Sequence, residues 1–485
     1  MNALLKTLRW PADPGDRRRL ALWTAEEIAE ATGGAANGQF QVAGVETDSR
    51  EVRSGDLFFA LKGETSDGHL YLDKAFASGA AAAVVEKPIA QPHILVDDTS
   101  RALELLAKTA RIRASATVIG VTGSAGKTGV KEAIFAALER GSKGAAHRSV
   151  RSYNNHVGVP LSLARMPARA RFGVFEMGMN HAGEIAGLTV QVRPHVAVIT
   201  TIAPAHIESL GSEEAIADAK AEIFAGLEPG GTAVIPADSP HFARLRAAAE
   251  EKGARILAFG RSADAHVRLL DAIPSANGGS LVTAALEDRR LCYSVAEPGE
   301  HWVANSLGVM AAVHAAGGDL GAAGLALAEM GGLKGRGARH RLTVPGGHAL
   351  LIDESYNANP ASMRATLAQL GATPASRRIA VLGSMKELGE FAPSFHAQLA
   401  EPLAEARVDY AILVGEEMIA LARELGKAAN NTLGNAVAYA HCQCPGEAIA
   451  ALEEFGLTGG DAVLVKGSNS VGLGRVVAHF AAREG

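Results

Sequence analysis

At 485 residues the chain has the length of about three domains of roughly 150 residues, each long enough to bury its own core. Its 48% hydrophobic and 20% charged content, with Gly 54 and only 5% aromatic residues, fits a globular α/β protein and excludes a disordered one. A net charge of -5 gives no electrostatic reason to bind a nucleic-acid backbone or an anionic membrane surface, so any phosphate must be held locally.

The first residues, MNALLKTLRWPADPGDRRRL, contain no apolar core of signal-peptide length, and no later apolar run approaches bilayer length. A cytoplasmic protein without membrane insertion is expected. Cys292, Cys442 and Cys444 are too few and too clustered for a disulfide framework, which agrees with a reducing compartment. His441 beside Cys442 and Cys444 suggests half of a zinc site, but no second Cys pair closes a tetrahedron, so ordinary thiols are expected.

No short-period repeat is present, and the chain reads as successive globular units. The expected fold class is α/β with three domains: an opening unit over 1–113, a central P-loop-type parallel-sheet domain over 114–335, and a C-terminal Rossmann-like domain over 336–485. The Gly-rich GGLKGRGARHRL at 331–342 is a candidate hinge. In the central unit Val118 to Thr122, Gly173 to Glu176 and Val196 to Ile202 read as strands, with helical spacing from Val130 through Ile134 and Leu138. In the third, ALLIDE, RRIAVLG, YAILVG and DAVLVKG are strand candidates, and no GxGxxG accompanies them.

The segment GVTGSAGKTG follows an apolar strand and opens a helix, the context that a phosphate-binding loop requires. Glycines let successive backbone amides point at phosphates, and the helix N-terminus adds partial positive charge. Lys127 would reach the terminal phosphates and Thr128 would offer its hydroxyl to Mg²⁺. The strict pattern wants Gly at 121, where this chain has Val121, so the match is to G-x-x-G-K-T over 123 to 128. The alternative is a tight strand-to-helix turn that happens to carry Lys and Thr.

Further along, SEEAIADAKAEIFAGL places Ile216, Ala219, Lys220, Ile223 and Leu227 on one helical face. Lys220 therefore lies in an apolar stripe. Either its side chain snorkels to water, or its charge is removed or compensated, for example by capture of carbon dioxide as a carbamate. Glu176 ends the strand GVFEMG, and His206 follows the strand VAVITTI. Ligands gather at the carboxyl ends of strands in doubly wound sheets, so Glu176, His206 and Thr128 are candidates to converge. Singly, Glu176 reads equally as a solvated strand-end charge and His206 as a loop hydrogen-bonder.

The combination of a GKT loop, a strand-end glutamate, a histidine after another strand and a helical lysine resembles the Mur ligases. The resemblance continues through SYNNHVGVPLSLARMP, FEMGMNHAGEI, HIESLGSEEAIADAKAEIF, HWVANSLGVMAAV, DESYNANPASM, LGSMKELG and VLVKGS, covering nearly the whole chain. DESYNANPASM and LGSMKELG look like the branch that adds D-alanyl-D-alanine, and no DNPR-like segment of the diaminopimelate- or lysine-adding branch is found. TDSREVRSGDLFFALKGETSDGH and GAAAAVVE are similar to a UDP-muramoyl-binding domain.

The resemblance implies an ATP-dependent amide ligase that joins D-alanyl-D-alanine to UDP-N-acetylmuramoyl-tripeptide through an acyl phosphate. This is a step of peptidoglycan synthesis, and so of cell shape and division. It further implies that Gly123, Ser124, Ala125, Gly126, Lys127, Thr128 and Gly129 hold ATP phosphates. Thr128 and Glu176 would bind one Mg²⁺, and His206 with carbamylated Lys220 a second. Asn305 would lie near the adenine, and Arg339 and Asp353 would reach the nucleotide with Tyr356 and Asn359 beside them. Ser49 and Arg50 would contact the UDP portion, and Asn154 and Asn155 would line the reacting centre, although such an amide pair can equally brace a loop. A monomer is expected. Val121, and Gly129 where relatives often carry a hydroxyl residue, depart from the family pattern. The GKT loop alone permits a kinase, an NTPase or a nucleotide-binding regulator, and a folylpolyglutamate synthetase is the nearest alternative outside wall synthesis.

Overall fold

Strands buried on both faces read as unbroken apolar runs, and the computed structural model, which describes residues 21–63, 66–275, 278–430 and 437–482, builds its sheets largely from such runs. The described residues up to Ser115, together with Pro160–Ala170, form one compact unit. Its sheet runs in the order Ala35–Asn37, His93–Leu95, Ala82–Val85, Asp56–Phe59, Gly44–Glu46, parallel except at the first pairing. Trp23 is buried in this unit, where its indole donates to the Ala164 carbonyl at 2.8 Å and the Arg113 guanidinium lies 3.2 Å from its ring centroid.

The second unit takes in Ala116–Val159 and the chain from Arg171 onward. Its larger sheet places Thr117–Thr122 between Phe172–Glu176 and Val196–Ile199, with all three parallel. From Thr117–Thr122 the chain steps to one side for Ala146–Arg148 and Phe172–Glu176. It then crosses to the other for Val196–Ile199, Thr232–Pro236 and Arg255–Gly260. This reversal opens a crevice at the carboxyl end of Thr117–Thr122, where a doubly wound sheet accepts ligands. The helices Lys127–Gly141, Glu300–Ala315 and Leu320–Glu329 contribute to the core on this sheet.

The same sheet continues into antiparallel strands Val267–Pro274, Ser280–Leu286 and Arg289–Val295, which were not expected from the sequence. Burial explains the change. Ser280–Leu286 alternates buried and partly exposed positions as a one-faced antiparallel strand does, whereas Val196–Ile199 is buried throughout.

The smaller sheet of this unit runs Ala338–Val344, Gly347–Glu354, Ala462–Lys466, Arg378–Gly383, Tyr410–Val414, Ala438–Cys442. Its first pairing is antiparallel and the others are parallel, as the four expected strands of the third unit require. The lysine-bearing helix spans Glu213–Ala221, capped by Ser212, whose hydroxyl accepts from the Ala215 amide. Among the described residues no helix is long and apolar enough to cross a membrane.

Val121 is fully buried, paired in register with Glu176 on one side and Val198 on the other. A glycine there would satisfy the strict loop pattern and empty a core position. Val121→Gly is expected to cost about 2–4 kcal/mol through the lost side chain and added backbone freedom. The reading is a fall in the apparent melting midpoint, and an unchanged midpoint would contradict this account.

Candidate active site

The phosphate loop is the turn between Thr117–Thr122 and Lys127–Gly141, and its backbone is set by Gly123. With φ of +144°, Gly123 occupies a conformation that side chains rarely adopt, and a Cβ there would stand 2.0 Å from Thr200 Oγ1. Thr200 donates to the Ala125 carbonyl at 2.5 Å, and Ser124 exchanges hydrogen bonds with Ala203 at 3.0 Å each way. The loop is thus fastened to the end of the next strand before any ligand arrives.

Lys127 folds back to donate to the Gly123 carbonyl at 2.7 Å. Burial lowers its pKa from the ordinary lysine value, against the opposing pull of Glu176. Thr128 Oγ1 donates to Glu176 Oε2 at 2.9 Å, while Asn154 Nδ2 donates to Oε1 at 2.7 Å. Glu176 has no exposed surface, so the solvated strand-end reading is overturned. A hydroxyl and a carboxylate side by side are hard oxygen donors of the kind a divalent Mg²⁺ takes. Among the described residues no group of three His, Cys, Asp or Glu side chains stands ready to hold a metal ion. The protein therefore offers a partial shell, which suits a cation that retains water and phosphate oxygens.

Lys220 is fully buried, and its Nζ has no hydrogen-bond partner among the described residues, which overturns the snorkelling alternative. Burial first, and the positive charge of Lys127 second, hold its ammonium well below the ordinary lysine range. The two lysines therefore share one neighbourhood. His206 does not hydrogen-bond Lys220; its Nδ1 lies 2.6 Å from Glu387 Oε2, an ion-pair separation when the ring is protonated, and makes no aligned hydrogen bond among the described residues.

Asn155 caps the next helix through Oδ1, accepting from the Gly158 amide at 2.9 Å, and so braces a loop while Asn154 holds Glu176. The Asn305 amide lies against Gly126, 3.0 Å from where a Cβ would stand. Gly129 meets the Trp302 ring at 2.8 Å by the same measure, so the hydroxyl residue that relatives often carry has no room here. Asp353 is buried: Oδ2 accepts from the Gly335 amide at 2.8 Å and Oδ1 from the Ser355 hydroxyl at 2.6 Å. Asn359 caps Pro360–Ala372 and donates to the Ser124 carbonyl at 3.2 Å, reaching the phosphate loop directly. In the other compact unit, Ser49 is buried and Arg50 is exposed, gripping Asp48 with Nε at 2.9 Å and Nη2 at 2.6 Å.

Several side chains at this site were not anticipated. Lys131 is fully buried and donates to the carbonyls of Ser149 at 2.9 Å and Arg151 at 2.6 Å. It holds the segment carrying Ser152, whose hydroxyl is 3.1 Å from Thr128 Oγ1, and Asn154. The signal was available: Lys131 lies between Val130 and Ile134 in an apolar-periodic helix. Arg336 rather than Arg339 comes to the phosphate loop. It donates to Ser152 at 3.2 Å and stacks 4.3 Å from the half-exposed Tyr356 ring, and its charge reaches Lys127. His441 Nε2 contacts the Gly415 carbonyl at 2.9 Å, with Cys442 buried and Cys444 exposed.

Arg339 instead lends its charge to Glu297. Burial is the larger cause and pushes Glu297 from 4.5 up to about 7 against that attraction, with the nearby Glu354 adding to the rise. Since the folded pKa lies above the unfolded value, Glu297 contributes stability below about pH 4.5 that is lost as the pH rises to about 7. Melting midpoints of the wild type and Glu297→Gln should diverge across that window, the wild type losing ground with rising pH. Parallel curves would show that Glu297 does not titrate so.

Comparison with known proteins gives the family. The sequence matches the families described as Mur ligase family, catalytic domain, over residues 41–138, Mur ligase middle domain over 121–313, and Mur ligase, glutamate ligase domain, over 340–469. The UDP-N-acetylmuramoyl-tripeptide--D-alanyl-D-alanine ligase of Synechocystis is 34% identical, the alignment covering 90% of this chain and 91% of that protein. The protein of the same name from Bacillus subtilis is 34% identical over 81% of this chain and 85% of its own. A crystal structure of MurF from Acinetobacter baumannii superposes with a TM-score of 0.80 at 30% identity, covering 95% of this chain and 99% of that one. MurF ligase from Thermotoga maritima, solved in complex with ADP, gives 0.73 at 26% identity, over 91% and 97%. The chain belongs to the Mur ligase family.

Proposed function

We propose that this chain ligates D-alanyl-D-alanine to UDP-N-acetylmuramoyl-tripeptide at the expense of ATP. The reading rests on one observation above the rest: a phosphate loop whose Thr128 meets a buried Glu176, in the neighbourhood of a buried lysine with no hydrogen-bond partner among the described residues. Relatives named for this reaction cover most of the chain. The opening domain, 1–113, would bind the UDP-muramoyl peptide through residues that include Ser49 and Arg50. The central domain, 114–335, would carry ATP, and the C-terminal domain, 336–485, would bring Arg336, Asp353, Tyr356 and Asn359 to the nucleotide. An ATP-consuming step on a UDP-linked precursor is a cytoplasmic reaction, and its product serves the wall that sets cell shape and permits division.

A carboxylate is a poor electrophile, so the tripeptide carboxylate first takes the terminal phosphoryl group of ATP to become an acyl phosphate. The amine nitrogen then donates its electron pair to the acyl carbon. A C–N bond forms, the C–O bond to phosphate breaks, phosphate departs with the electron pair of that C–O bond, and the nitrogen gives up one proton to the departing phosphate or to water. Lys127 and the loop amides hold the phosphates and balance the charge that moves between oxygens. Asn154 fixes the Glu176 carboxylate, and Asn305, which lies against Gly126 of the loop, would stand near the base. Thr128 and Glu176 would hold a Mg²⁺ ion, which would supply further neutralisation at the phosphates, and His206 with carbamylated Lys220 would hold a second. Lys220 suits that role because a buried amine with a lowered pKa is the neutral nucleophile that carbon dioxide requires.

ADP release measured with each substrate omitted in turn tests the reading. A ligase needs both tripeptide and D-alanyl-D-alanine, whereas ADP release without the amine marks a kinase or NTPase. Lys220→Ala is expected to abolish ligation, and a short-chain carboxylate in the buffer to restore part of it. An unrescued variant with full activity would remove the carbamate from the mechanism.

A further inference from the structure

The site just described is rich in cations. Lys127 and Arg336 form one electrostatic neighbourhood, as phosphate chemistry needs. The second substrate of the proposed ligation arrives as an ammonium ion, which the same cations repel. It requires a carboxylate within the site, and Glu176 has both oxygens committed, one to Thr128 and one to Asn154.

Glu387 is placed to meet that need. It lies in the loop after Arg378–Gly383, at the carboxyl end of a parallel strand in the smaller sheet, where ligands collect. Its carboxylate lies 2.6 Å from His206 and within the field of Lys127, yet its side chain keeps 53% of its surface exposed. Its backbone holds φ at +65°, an uncommon conformation for a residue with a side chain, and such conformations cluster at functional sites. The surroundings fix it there: its carbonyl accepts from the Glu208 amide at 3.4 Å, and a Cβ at Gly389 would stand 2.9 Å from Glu208. The next side chain back, Lys386, is turned away into an ion pair with Glu417.

We infer that Glu387 seats the ammonium group of the incoming amine substrate beside the acyl carbon, in a site otherwise built to attract anions, where the ammonium gives up one proton to water and the neutral nitrogen then attacks. The assignment rests on the ligase reading above and adds the residue that receives the second substrate.

The test compares steady-state ligation by wild type, Glu387→Gln and Glu387→Asp, with D-alanyl-D-alanine as the amine and with hydroxylamine as an uncharged nucleophile that captures the acyl phosphate. Loss of a charge-assisted contact should raise the KM for D-alanyl-D-alanine roughly tenfold or more in Glu387→Gln. Glu387→Asp should recover part of it, while the KM for ATP and the rate of hydroxamate formation stay near wild type. Glu390→Gln, an exposed change on the same loop, should leave all of these unmoved. An unchanged dipeptide KM in Glu387→Gln overturns the assignment. So does a parallel fall in hydroxamate formation, which would mean that Glu387 only braces His206. If the wild type forms no amide from D-alanyl-D-alanine, the ligase reading falls and this inference with it. Amide formation with an unmoved KM sinks this inference alone.

Discussion

The rest of the site depends on keeping one carboxylate in place without water. Glu176 has no exposed surface, and an ion so buried is tolerated only when its oxygens are hydrogen-bonded and opposite charge is near. Thr128 and Asn154 satisfy the oxygens, and Lys127 supplies the charge. Each partner is itself held. Thr128 rides on a helix fixed by the Gly123 turn, and Asn154 sits in a segment that Lys131 draws in by two carbonyls. Arg336, in the Gly-rich segment, and Asn359, beyond it, reach Ser152 and the Ser124 carbonyl, so that same cluster also receives the last part of the chain.

This dependence explains what could be read from residues alone. Local patterns were legible: the turn at GSAGKT, the buried parallel strands, and Lys220 as a charge inside an apolar face, because each is a periodicity within one element. Contacts that join elements were legible only in outline. The doubly wound sheet made Thr128 and Glu176 candidates to converge, but Glu176 alone read equally well as a surface charge, since nothing adjacent to it in sequence says that Thr128, 48 residues away, will donate to it in a site without water. The same holds for Arg336. Arg336 and Arg339 both lie in the hinge segment, and only the folded strand register sends Arg339 toward Glu297 and leaves Arg336 to the phosphate loop. Asn154 and Asn155 show the limit most plainly, because neighbouring identical residues divide into one that holds the acid and one that caps a helix.

The antiparallel strands from Val267 to Val295 were missed for a different reason. A search for apolar runs finds strands covered on both faces, and these three are covered on one. Conversely, the departures at Val121 and Gly129 look like weaknesses of the loop motif and are not. Val121 fills a core position between two parallel strands, and Gly129 makes room for Trp302. Motif positions that differ from a pattern are explained by what packs against them, which the pattern does not contain.

Lys127 and Lys220 together set the electrostatic character of the centre. Two ammonium groups in a buried neighbourhood repel, and burial penalises each further, so the pair is uncomfortable as two cations. Losing a proton from Lys220 removes the repulsion but leaves a buried nitrogen with no partner. Conversion to a carbamate, as proposed, would change the sign of the charge, so that the same proximity to Lys127 would become attractive and the new oxygens would be free to act as ligands. Of the three states only this one would turn the burial of Lys220 and its nearness to Lys127 to use at once: unlike a glutamate, a lysine can be buried neutral during folding and acquire a negative charge afterwards.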